Sequence, residues 1–120
     1  MSITFIMYPL LMSGYLQELI YKLSRVGKAI DSNDFSEATS VLGSTTQADW
    51  VRNANVAFEK LTLSPEEKSV VEAFNSSLAT LISSVDKHDL ELSKSAFVSS
   101  ASALEKWVEL TGLVGLLKGL

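Results

Sequence analysis

Cysteine is absent from the 120 residues, histidine occurs once and proline twice. Without cysteine, neither a disulfide framework nor a cysteine-zinc site can form, while an oxidising compartment stays open. Catalysis requires a nucleophile with its base, acid and base groups of separated pKa, or a metal. The single histidine, His88, sits between Asp86 and Asp89 in a polar turn. Three ligands in an exposed turn make a weak metal site, and the ordinary reading is solvation. Gly112, Gly115 and Gly119 lack both a preceding strand and a following Lys-Ser/Thr, so no phosphate loop is present. No catalytic residue, metal ligand or cofactor is expected, and the protein is read as a non-enzyme. Basic residues are also few, 10 Lys+Arg against 14 Asp+Glu for a net charge of −4, which argues against nucleic acid as a partner.

Charge is missing altogether from residues 1–17, MSITFIMYPLLMSGYLQ. The apolar run is broken by Pro9 and falls short of the roughly 20 residues of a membrane span, and no basic stretch precedes it as in a secretory signal. Three roles remain open for it: docking on the body of the protein, lining an interface, or forming an extension. Residues 1–14 are accordingly set apart from a helical domain at 15–112, followed by an apolar tail at 113–120 that needs cover from its own chain or a partner.

What the chain does have is helical periodicity. In SPEEKSVVEAFNSSLATLISSV, residues 64–85, Ser64 is a helix cap, Pro65 suits the first helical position and Glu67 completes a capping box. Val70, Val71, Phe74, Leu78, Leu81, Ile82 and Val85 then recur with a period near 3.6. A helix over about 15–30 buries Leu16, Leu19, Ile20, Leu23, Val26 and Ile30. Asp34 with Glu37 opens another that carries Phe35, Ala38, Val41 and Leu42. Gly43 breaks it, and Thr46 with Asp49 restarts it for Trp50, Val51, Ala54, Ala57, Phe58 and Leu61, so that the second arm is kinked. After the polar turn 86–89, Asp89 caps a last helix that offers Leu90, Ala96, Phe97, Ala101, Leu104, Trp107, Val108 and Leu110 to the core and stops at Gly112. The expected architecture is all-α, an up-down-up-down four-helix bundle with its second helix broken near Gly43. Folding about turn 86–89 sets residues near 74 beside residues near 101, and so makes a Ser/Ala-rich seam without charge.

Two surfaces qualify as partner sites. Lys22, Arg25 and Lys28 fall on the polar side of the first helix, either as a solvated face or as a dock for an acidic partner or anionic lipid. Asn75, Ser76, Ser83 and Ser99 belong to the charge-free zone, which serves either tight helix packing or a neutral docking face.

The phrases GYLQELI at 14–20, ATSVLG at 38–43, ADWV at 48–51, SPEEK at 64–68, EAFNSSLATLISSV at 72–85, AFVSSASALEKW at 96–107 and LKGL at 117–120 resemble, in this order and spacing, plant thylakoid lumen proteins of the 16.5 kDa type. The resemblance covers about residues 14–120. It implies a four-helix bundle like that of PsbQ-type extrinsic subunits of photosystem II, and a non-enzymatic accessory role in assembly, repair or stability of photosystem II under strong light. It further implies photosystem II subunits or assembly intermediates as partners, a monomer as the favoured state, and the chloroplast thylakoid lumen as the location. Residues 1–14 contain no arginine, so a lumenal targeting signal is expected to be absent from this chain. The alternatives are a peripheral membrane or lipid-contacting protein using the N-terminal apolar segment, or a self-associating bundle docking on another thylakoid complex.

Overall fold

The structure, a computed structural model, describes residues 3–113, with side chains from Met12 onward. It is all-helical: α1 (Ile3–Asp31), α2 (Phe35–Leu42), α3 (Asp49–Leu61), α4 (Pro65–Asp86) and α5 (Leu90–Thr111). The expectation for the tail at residues 114–120 lies outside the described residues, as does the side-chain packing of residues 1–11.

Each of the three long-helix stops is built the same way. Asn33 and His88 adopt left-handed conformations, φ 56° in both, and Gly112 does so at φ 75°. The Asp34, Asp89 and Leu113 amides then reach back to the carbonyls of Ala29, Ser84 and Val108, at 2.7, 2.9 and 3.1 Å, the reversed-turn geometry that uses otherwise unpaired helix-end carbonyls. The same Asp34 and Asp89 cap the following helices through the Glu37 and Leu92 amides, each at 3.1 Å. In this way DSND and DKHD each end one helix and begin the next within four residues. Ser64 caps α4 as expected, accepting from the Glu67 amide at 3.1 Å. The Glu67 carboxylate returns to the Leu63 amide at 2.8 Å. At Asp34 the box stays half-formed, because its amide already serves Ala29 and the Glu37 carboxylate pairs with Arg25.

Several expectations are corrected. The first helix does not start at residue 15 but at Ile3, running through Pro9 and Gly14. An interior glycine costs only about 1 kcal/mol, and burial of Met12, 4 % exposed, holds the turn that precedes it. The second arm breaks at Gly43 as expected, but its two pieces are separate helices, so the described residues form five helices and not four. Gly43 takes φ 79°, ψ −177°, a region open essentially to glycine alone, and the chain continues without helix over residues 43–48. Trp50 secures the break by donating its indole N–H to the Leu42 carbonyl at 3.3 Å. Thr46 does not cap α3. The helix begins after Ala48 with no side-chain cap, since the Thr45 hydroxyl takes the Gln47 amide and Asp49 pairs with Arg52 at 2.9 Å. Leu110, expected inside, is exposed at 37 %.

The apolar stripes converge as their spacing predicts. Leu16, Leu19 and Val26 of α1, Ala38 and Leu42 of α2, Ala57 and Phe58 of α3, Phe74, Leu78 and Leu81 of α4, and Leu104 and Trp107 of α5 form one buried cluster. At its centre Phe58 meets both Phe74 and Trp107 edge-on, with centroids at 5.3 and 4.9 Å, an arrangement favoured by the ring quadrupoles. The Trp107 indole donates to the Thr62 hydroxyl at 3.0 Å.

The closest helix pair is α4 with α5. Ser84, Ser93, Ala96 and Ser100 are buried there, and small side chains let the two backbones approach. Ser93 donates to the Ser84 hydroxyl at 3.1 Å, which in turn donates to the Leu81 carbonyl at 3.0 Å. The Ser100 hydroxyl is fully buried with no hydrogen-bond partner. A buried unpaired hydroxyl costs roughly 1–3 kcal/mol, and alanine is the better helix former. Ser100→Ala is therefore expected to stabilise the protein by about 1 kcal/mol, read as a higher urea midpoint at an unchanged slope.

Candidate interaction surfaces

The candidate residues do not form one site. On α1, Lys22 is half-buried and lays its ammonium over the Trp50 ring, 5.7 Å from the centroid, which ties α1 to α3. Arg25 pairs with Glu37 of α2 and lies 5.8 Å from the Tyr21 ring. The hydrogen bond that Arg25 donates to Glu37, and then the Glu37 charge, raise the Arg25 pKa above the ordinary guanidinium value. This pair is solvent-exposed and contributes little to stability. Lys28 alone of the three faces a groove, between α1 and α5. Lys22 and Arg25 thus contact residues of other helices, an arrangement that spacing along one helix cannot reveal.

On α4, Asn75 turns toward α3 and donates to the Asn55 carbonyl oxygen at 2.9 Å, while Asn55 donates to the Val51 carbonyl at 3.1 Å. That chain of bonds braces α3 against α4. Ser76 and Ser99 do come together. With Ser77, Thr80, Leu92, Ser95 and Ala96 they line a shallow groove of about 150 Å³ between α4 and α5, whose walls carry no charge. Ser83 is exposed on α4 two turns further along, outside that groove.

Two of the openings that escaped the sequence are the larger ones. Between α3 and α4, Asn55, Phe58, Glu59, Thr62, Lys68, Val71 and Glu72 surround a cleft of about 460 Å³. It opens where the loop from Thr62 to Ser64 spreads the two helices, and nothing in the periodicity marks it. Between α1 and α5 the helices approach closely at Gly27, where a Cβ would come within 2.6 Å of the Phe97 ring. A groove of about 550 Å³ runs beside this contact, with Lys28 and Lys94 on its two walls and Val98 exposed at its edge. A glycine inside a helical pattern was the available signal for that close approach. Among the described residues no group of three or more His, Asp or Glu is placed to hold a metal ion, and no helix is long and apolar enough to cross a membrane.

Fold and surface together define an all-α protein whose notable exposed features are grooves between helices. Residues 14–120 match the family described as Maintenance of Photosystem II under High light 2, and the chain belongs to it. A curated relative from Arabidopsis thaliana, "Thylakoid lumenal 16.5 kDa protein, chloroplastic", is 62% identical over 107 residues, which are 89% of this chain and 50% of the relative. The chain thus spans about half the length of the curated relative it matches. No solved structure matches it.

Proposed function

We propose that the protein is a non-enzymatic accessory factor of the chloroplast thylakoid lumen that binds photosystem II subunits or assembly intermediates and supports their maintenance under high light. The family match over residues 14–120 carries this reading, and the lumenal relative supports the location. In this reading α2 and α3 together serve as one broken arm of a PsbQ-like bundle. The contact face is the serine-lined groove of Ser76 and Ser99, with the exposed Ser83 two turns further along α4. A neutral surface joins a partner without the desolvation cost of charge, and charge depletion marks the centres of interfaces.

Affinity capture from detergent-solubilised thylakoids tests it. The tagged chain is expected to enrich photosystem II subunits, and Ser76→Arg/Ser99→Arg to reduce their recovery by about tenfold or more, since a buried unpaired charge costs well over the 1.4 kcal/mol of one decade. Both positions are exposed, so melting is expected to stay within about 0.5 kcal/mol of the parent. Absence of photosystem II subunits overturns the function. Unchanged recovery by the double variant overturns only the face.

A further inference from the structure

The seam between α1 and α5 carries an apolar knob and an apolar hollow on one face. The two helices run antiparallel, with Gly27 against Phe97. On that register Lys28 and Lys94 stand on facing walls of the larger groove. One turn further along α5, Val98 stands out into solvent, 61 % exposed. One turn beyond Val98, a hollow of about 170 Å³ opens over Ala101, floored by the buried Ile20, Leu23 and Leu104 and with Glu105 at its rim.

Charge follows the same order. Lys28 and Lys94 against Asp31 leave the groove end of the seam positive, while Glu105 makes the hollow end negative. Among the described residues, none of Lys28, Lys94 and Glu105 has an ion-pair partner. The strip between the two ends, Phe97, Val98 and Ala101 on α5 with Ser24 and Gly27 on α1, is uncharged. A two-fold axis through the middle of this strip, level with residues 99–100 of α5, exchanges Lys94 with Glu105 and Val98 with Ala101. Each Val98 then enters the hollow over Ala101 of the second copy, and each Lys94 meets Glu105 of the second copy.

We infer that this face joins two copies of the chain in an antiparallel, two-fold dimer. A second copy is favoured over a different protein because the face is its own complement. Knob and hollow, and the two signs of charge, lie at equal distances on either side of one point, so an isologous contact satisfies each pair twice. An unrelated partner would have to match each feature separately. Because knob and hollow share one face, the contact closes with two copies and does not grow into a fibre. The strip from Lys94 to Glu105 is about 17 Å of helix, short of a standard permanent interface, so the dimer is reversible. The serine-lined groove lies on the α4 side of α5, and the inference goes beyond the proposed function without depending on it.

Sedimentation equilibrium of the purified full chain tests it. A reversible monomer–dimer equilibrium is expected, with half of the chains paired at about 0.1–1 mM. Val98→Glu is expected to weaken pairing by about tenfold or more, since the added carboxylate loses its water in an apolar hollow. Lys94→Glu sets like charges opposite each other at two places and is expected to weaken pairing by a similar factor. Lys94→Glu/Glu105→Lys reverses both signs and is expected to restore pairing to within about threefold of the parent. All three positions are exposed, so unchanged melting curves separate loss of pairing from loss of fold. A chain that stays monomeric up to about 1 mM overturns the inference and leaves the face to a partner of another sequence. So does pairing that Val98→Glu leaves unchanged, or a Lys94→Glu defect that Glu105→Lys fails to repair.

Discussion

Replacing Trp107 by alanine is expected to cost about 3–5 kcal/mol, the range for deleting a large buried aromatic side chain, and to lower the melting temperature by roughly 10–20 °C for a chain of this size. Trp107 is fully buried, meets Phe58 edge-on and donates its indole N–H to Thr62 just beyond α3. Its loss removes packing area, one ring contact and the bond that fixes the loop leading to α4. Trp107→Phe restores most of the volume without the N–H. It is expected to recover more than half of the stability, with the remaining deficit, about 1 kcal/mol, reporting the bond to Thr62. Thermal and urea unfolding followed by far-UV circular dichroism measures both. A loss below about 1 kcal/mol for the alanine variant is incompatible with a core centred on this residue.

The second large effect is expected at Phe74 and Leu78, one turn apart on α4 and each 1 % exposed. Truncation to alanine is expected to cost about 3–5 kcal/mol at Phe74 and about 2–5 kcal/mol at Leu78. Val71, adjacent in sequence but only partly buried, is expected to cost less. Because Phe74 and Trp107 both contact Phe58, Phe74→Ala and Trp107→Ala share a partner and are expected to be non-additive by about 0.5–3 kcal/mol in a double-mutant cycle. Additivity within error would mean that the two aromatic contacts are energetically separate. Denaturant unfolding of the two single variants and the pair decides this.

For the helices and their inward faces, local chemistry sufficed. Every apolar position assigned on α4 is buried or packed against the core, as are Trp50, Val51, Ala54, Ala57 and Phe58 on α3. A period of 3.6 admits only one face, and that face has to leave water. The starts were legible in part for the same local reason: Asp34, Ser64 and Asp89 cap by accepting hydrogen bonds from amides three residues ahead. Where a competing bond existed, the local rule lost. Thr46 lost its role to Ala48, and Glu37 turned away from Asp34 to reach Arg25 on another helix. Gly14 reads as a boundary in isolation, yet burial of Met12 outweighs the small helix penalty of a single glycine.

The surfaces were far less legible, because a groove is a property of two elements. Ser76 and Ser99 are 23 positions apart and become neighbours only through the α4–α5 register. Asn75, one residue from Ser76, points about 100° away and braces α3 instead. The exposed serines carry no periodic signal that separates a docking face from ordinary solvated surface.

The sequence by itself determined that the chain is all-helical, which faces turn inward, how most helices are capped, and to which family it belongs. Those properties depend on hydrogen bonds and periodicities within one or two turns, or on the linear order of residues. Only the tertiary structure decided that the two pieces of the second arm are separate helices in a set of five, that Lys22 and Arg25 contact residues of other helices, that Ser100 is buried without a partner, and that α1 runs back to Ile3. Each of these depends on packing between residues remote in the chain.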